Sequence, residues 1–189
     1  AYDIGVRLVG SEMCIRDRSI IEWLLQILHQ RQRRNSNMSN RDRFISAEGM
    51  ALIKKFEGCE LEAYLDAVNI PTIAYGRTKN VKMGDTCTQK QADDWVEEEM
   101  QEYEGYINNM VKVKLSQFQF DALVAWVYNL GPTNLKNSTL LKVLNEGKYN
   151  DVPAQIKRWN KAGGNVLDGL TRRREAEALL FQDKEWYEV

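Results

Sequence analysis

Between Thr88 and Met110 apolar residues recur at steps of three and four (Ala92, Trp95, Val96, Met100, Tyr103, Ile107, Met110), while Asp93, Asp94, Glu97, Glu98 and Glu102 fill the opposite side. That period predicts an amphipathic helix, opened by the capping box Thr88-x-x-Gln91. At roughly 25 residues and ~1.5 Å per residue it is long enough to join two lobes. Its acidic run reads as a solvated face. A second box, Ser116-x-x-Gln119, precedes Phe120, Ala122 to Val127 and Leu130, a stretch apolar on nearly all sides and so the expected centre of a helical lobe. Asn129-Leu130-Gly131-Pro132 ends it. Short helices are expected from about Ser138 to Gly147 and near Pro153 to Trp159. A Lys161–Asn165 loop and a last helix through Thr171 to Gln182 follow.

Upstream, Ser46 is a candidate N-cap for a helix with Met50, Ile53 and Phe56 on one face. Gly58 stops it in a left-handed C′ conformation and leaves Glu57 in the last turn. Leu61–Leu65 and Thr72–Tyr75 read as two short strands around a loop shaped by Asn69 and Pro71, with Val81 to Thr86 as a third strand or a tight connection. The predicted architecture is α+β: a small sheet-bearing lobe (44–87), a linking helix (88–113) and a helical lobe (114–185).

Residues 1–37 fit this domain poorly. The apolar run Ser19–Leu28 is interrupted by Glu22, falls far short of the ~20 residues that span a bilayer, and lacks a small-residue cleavage site. The stretch is expected to be a non-native or loosely helical extension, with residues 38–189 as the functional domain and Met38 as its natural start. The net charge is −1, which gives no global pull toward nucleic acid or an anionic membrane. Its distribution is uneven: residues 44–111 carry six basic and thirteen acidic residues, residues 112–189 twelve and nine.

Three cysteines without a Cys-x-x-Cys pair argue against a disulfide framework and a zinc site. The one histidine, His29, lies in the extension, so a His-dependent triad is excluded from the domain. Carboxylates remain as the chemical groups. Glu57 at a helix C-terminus meets the negative end of the helix dipole, which disfavours its ionised form as a general acid requires. A hairpin beside that helix end brings Asp66 and Thr72 around the same point. Paired acids without histidine, metal motif or phosphate loop suggest hydrolysis, with glycoside cleavage as the main template.

The spacing Glu57-x8-Asp66-x5-Thr72 resembles the signature of the phage-type lysozymes, the endolysins of glycoside hydrolase family 24. Thr72-Ile-Ala-Tyr-Gly-Arg-Thr78 is similar to that family's Thr-Ile-Gly-Tyr-Gly-His-Thr. Gln119–Leu123, Tyr128–Gly131, Ser138–Leu141, Arg158–Gly164 and Gly169–Glu175 follow in the family's order. The resemblance covers about residues 44 to 182 and implies a lysozyme-like fold. It further implies hydrolysis of the β-1,4 bond between N-acetylmuramic acid and N-acetylglucosamine in peptidoglycan, for host lysis by a phage or prophage.

In that reading Glu57 protonates the leaving oxygen, and Asp66 with the Thr72 hydroxyl activates water on the other face of the sugar, giving inversion. Arg77, Asn129, and Arg172 or Arg173 are implied to bind substrate or support the site. No cofactor or metal is implied, and the partner is the cell wall rather than nucleic acid or a stably inserted membrane. The enzyme is expected to act as a monomer, held in the host cytoplasm until a holin gives it access to the periplasmic wall. Two positions depart from the family: Arg77 stands where histidine is usual and cannot titrate near neutrality, and Ala74 replaces glycine, with ordinary strand dihedrals and little consequence expected. A lytic transglycosylase and a catalytically silent wall-binding module are the competing readings. Trp159 and Cys59 read as packing residues.

Overall fold

The computed structural model describes residues 43–66 and 69–189; the expectations for residues 1–37 lie outside the described residues. Helix α1 (Ala47–Glu57) is capped by Ser46, whose side chain accepts from the Gly49 N–H. Gly58 ends it with φ 68 and ψ 177, a positive φ but not the left-handed helical ψ expected from sequence. Strands β1 (Glu60–Leu65) and β2 (Pro71–Ala74) form an antiparallel hairpin. Tyr64 lies opposite Thr72 and Leu65 opposite Pro71, with a register irregularity between Glu60 and Tyr64. Residues 81–86 add no third strand, only the single bridge between Glu62 and Thr86.

The long helix α2 (Gln89–Met110) and the buried α3 (Gln117–Leu130) both open with complete capping boxes, at Thr88 and Ser116. Helix α5 (Thr139–Asn145) is the one expected from about Ser138 to Gly147, and a further short helix, α4 (Pro132–Asn137), precedes it. The break comes where the Ser138 hydroxyl turns back to the Leu135 carbonyl and caps the next helix through the Leu141 N–H. Helix α6 (Val152–Lys157) follows, and the predicted loop after it contains a minimal hairpin, β3 (Lys161–Ala162) and β4 (Asn165–Val166), closed by Gly163 and Gly164 at positive φ. Helix α7 (Asp168–Phe181) completes the order.

The core is built on α3, whose Phe120 and Ala122 to Val127 are fully buried. Helices α2 and α7 pack on it, and so does α1, through Leu52 and Ile53. The first helix is therefore part of the helical layer rather than of the sheet-bearing lobe. Its N-terminus is pinned there: Ser46 donates both its N–H (3.0 Å) and its hydroxyl (2.5 Å) to the Asp121 carboxylate of α3. Gly49 lets the two helices approach, because a Cβ at that position would stand 2.6 Å from the Asp121 Cβ. Asp121 has no exposed surface, and burial raises its carboxyl to about 6 despite those hydrogen bonds.

Candidate active site

Glu57 is the last residue of α1 and a fifth exposed, on the wall of a cavity of about 510 Å³ that also takes in Tyr75, Arg77, Glu98, Glu99, Tyr103, Tyr128 and Asn129. The Arg173 guanidinium of α7 lies behind it: Nη1 is 2.7 Å from Glu57 Oε1, with only 5% of the arginine side chain exposed. Arg173 is held in turn by Glu177 at 3.2 Å, and Glu177 also pairs with Arg174 at 3.1 Å; neither of those two side chains has exposed surface. Arg174 reaches back toward the cavity to donate to Asn129 Oδ1 (2.5 Å). Burial pulls the Arg174 guanidinium down to about 10. Successive residues of a helix point about 100° apart, so with Arg173 and Arg174 turned inward, Arg172 faces solvent. Arg173 thus reaches Glu57 from behind and Arg172 does not.

The hairpin supplies the second group. Asp66 follows β1, its N–H donating to the Ile70 carbonyl (3.0 Å) and its Oδ1 accepting from the Ile70 N–H (2.9 Å). Thr72, 3% exposed, donates its hydroxyl to the same Ile70 carbonyl at 3.0 Å. Because side chains alternate along a strand, the pairing of Tyr64 with Thr72 and the Asp66–Ile70 bonds put Tyr64, Asp66, Ile70 and Thr72 on one face. The Tyr64 hydroxyl is raised above its ordinary value by burial, and further by the carboxylates of Glu60, Asp66 and Glu57. That face is therefore within electrostatic reach of Glu57.

Beyond β2 the chain makes a tight turn closed by reciprocal bonds between Ile73 and Arg77, 2.9 Å each way. Ala74 enters this turn at φ +56, the left-handed region, and not with the strand dihedrals expected of it. Glycine's freedom has a physical use here, and an alanine must bear strain. The turn is fastened on three sides. The Tyr75 hydroxyl donates to Asp93 (2.9 Å), which also pairs with Lys54 of α1 (2.7 Å), and the Tyr128 hydroxyl donates to the Tyr75 carbonyl (2.9 Å). Burial and the bond to Asp93 raise the Tyr75 phenol to about 12. Arg77 pairs with Glu99 at 2.7 Å and lies 5.0 Å from the centroid of the Trp95 ring. Burial raises Glu99, and the Arg77 charge opposes that shift. Gly76 completes the turn at φ +94, where a Cβ would come within 3.8 Å of Glu57 Oε2.

Glu57, Arg77 and Asn129 thus share one cavity, whereas Asp66 and Thr72 lie on the hairpin face and are not among its lining residues. The acidic side of α2 is solvent-exposed as its pattern implied at Asp94, Glu97, Glu98 and Glu102; Asp93 is half-buried and bonded to the turn, and Glu98 and Glu102 line the open cavity. The sequence alone does not single out Glu177, although Arg173-Arg174 with Glu177 is the i+3 and i+4 spacing of helical ion pairs. Among the described residues no group of three or more His, Cys, Asp or Glu is arranged to hold a metal ion, and no helix is long and apolar enough to cross a membrane. Trp159 packs edge-on against Trp126, and Cys59 against the core.

Comparison with known proteins gives this geometry its context. The chain is 41% identical to an endolysin of Acyrthosiphon pisum secondary endosymbiont phage 1 over 142 residues, 73% of this chain and 97% of that protein. It is 34% identical to a SAR-endolysin of Bacteriophage PS119, over 64% of this chain and 73% of the relative. Among solved structures, an endolysin from Escherichia coli O157:H7 phage FAHEc1 superposes with a TM-score of 0.71 at 37% identity, covering 75% of this chain and 95% of the other. The phage lysozyme family model matches residues 54–177, a span that runs from Glu57 on α1 to Glu177 on α7, and the chain belongs to the phage lysozyme family.

Proposed function

We propose that this phage lysozyme cleaves the β-1,4 bond between N-acetylmuramic acid and N-acetylglucosamine in peptidoglycan, with Glu57 as the proton donor and Asp66 and Thr72 as the groups that hold the attacking water. The observation that carries the reading is Glu57 on the cavity wall, anchored through Oε1 to buried Arg173 while Oε2 lies toward Gly76 and the turn. An acid with one oxygen held and the other directed to the cleft is oriented to give its proton to a glycosidic oxygen bound there. Asp66 and Thr72 stand on a separate element, which suits attack from the opposite face and hence inversion of the anomeric carbon. Arg77 and Arg173 act as site supports, and Asn129, held by Arg174, offers its amide to the glycan.

Product analysis tests the assignment. Hydrolysis of purified peptidoglycan leaves reducing ends, whereas anhydro-muramic ends would show a transglycosylase and the absence of products a binding module. The freshly released anomer, read by NMR before mutarotation, should be inverted. Glu57→Gln should fail to clear chloroform-treated Gram-negative cells; normal clearing would sink the role given to Glu57. The enzyme is expected to work as a monomer and to wait in the host cytoplasm for a holin. Lysis by the full chain expressed without a holin would overturn that route.

A further inference from the structure

The hairpin face that carries Asp66 and Thr72 also carries two exposed apolar side chains, Tyr64 at 40% and Ile70 at 45%. Nothing in the packing requires them there: the opposite side of β2 already buries Ile73 in the core, and neither Tyr64 nor Ile70 belongs to the core cluster or packs against it. The Tyr64 hydroxyl has no hydrogen-bond partner among the described residues. The register irregularity between Glu60 and Tyr64 falls immediately before this residue, and such irregularities re-aim side chains next to functional sites. An exposed aromatic ring with a free polar tip, beside a buried threonine and a carboxylate, matches the requirement of a pyranose ring, which has an apolar face and polar edges.

We propose that Tyr64 is a substrate-binding residue of the hairpin wall, its ring forming the platform on which a sugar of the glycan seats itself beside Asp66 and Thr72. The inference rests on the catalytic reading of Glu57 and Asp66 given above. It adds a surface that sets the distance between sugar and water-holding groups, with Ile70 closing the other side of Asp66. Since an aromatic ring offers its face to any pyranose, Tyr64 contributes affinity and position rather than discrimination between the two amino sugars.

Binding is measured apart from turnover by co-sedimentation with purified peptidoglycan in the Glu57→Gln background. Adding Tyr64→Ala should weaken binding about tenfold, and Tyr64→Phe, which keeps the ring, should restore it to within about twofold. In the otherwise native enzyme Tyr64→Ala should raise KM by a similar factor while the melting temperature stays within about 1 °C, because the side chain is well exposed. Unchanged binding in the alanine variant, a phenylalanine variant as weak as alanine, or a melting temperature that falls in step with binding would each overturn the proposal. A Glu57→Gln enzyme that retains full activity would instead overturn the catalytic reading, and leaves the binding comparison interpretable by itself.

Discussion

Ala74 offers a sharp test of the turn that follows the β1–β2 hairpin. It is 3% exposed and held at φ +56, where an L-residue pays for its Cβ. Replacing it with glycine relieves about 1–2 kcal/mol of backbone strain. Against this stand about 0.8 kcal/mol for the buried methyl group and about 0.4–1 kcal/mol for the added freedom of the unfolded chain. The balance is close to zero, so Ala74→Gly should leave stability within about 1 kcal/mol. Ala74→Val behaves otherwise, because a β-branched residue in the left-handed region adds about 1–2 kcal/mol of strain and two extra methyl groups overpack the site at about 1–3 kcal/mol. The sum is roughly 2–5 kcal/mol. For a domain of this size that lowers the melting temperature by roughly 4–20 °C, measurable by far-UV circular dichroism or calorimetry. In an ordinary strand the order reverses: valine is welcome, and glycine loses about 1.5 kcal/mol or more. A valine variant as stable as the parent, paired with a clearly destabilised glycine variant, would refute the turn as described.

Three further outcomes are expected. Arg77→His exchanges a permanent charge against Glu99 for a titrating one. The histidine, raised by that carboxylate, should give stability that is fully present below its ordinary value of about 6.5 and lost as pH rises through its folded value, by about 1–2 kcal/mol between pH 6 and 8, while the parent shows no such loss from this pair. Asp121, raised by burial from 3.8 to about 6, favours the folded state most below about pH 4, and that contribution fades as pH rises through about 6. Asp121→Asn should flatten this dependence, of order 3 kcal/mol, in denaturant titrations run from pH 4 to 7. Arg173→Met leaves Glu177 with one of its two buried cations and Glu57 without its anchor; the melting transition should drop by the equivalent of about 3–5 kcal/mol, and lytic activity measured well below that transition should fall with it.

The pattern of the chain located its helices well where chemistry and period agree, as at the two capping boxes, and it placed Glu57 at a helix end because Gly58 is an unambiguous stop. The turn at Ala74 was invisible for the opposite reason. Alanine is at home in a strand and gives no local sign of positive φ, which here is imposed by the reciprocal Ile73–Arg77 bonds and the anchors of Tyr75. Arg172 and Arg173 are chemically identical in the sequence, and only the phase of α7 against α3 decides which of them turns toward Glu57. The partner of Arg77 is likewise a matter of packing. Glu99 is one of several acids on α2, and it is selected by where the turn after β2 comes to rest.

The attachment of α1 has a consequence for synthesis. Glu57 belongs to a helix near the beginning of the domain, yet that helix is packed on α3 and α7 and tied at its first turn by Trp186, whose indole N–H donates to Glu48 at 2.7 Å, and at its last turn by Lys55, whose ammonium donates to the Tyr187 carbonyl at 2.7 Å. The buried arginine behind Glu57 also lies in the last helix. As the chain leaves the ribosome from its N-terminus, Glu57 emerges early but has neither its support nor its counter-charge until α7 and Trp186 have followed. Nascent chains stalled anywhere before α7 are therefore expected to be unable to attack a wall, and a lytic enzyme is spared activity in its unfinished copies.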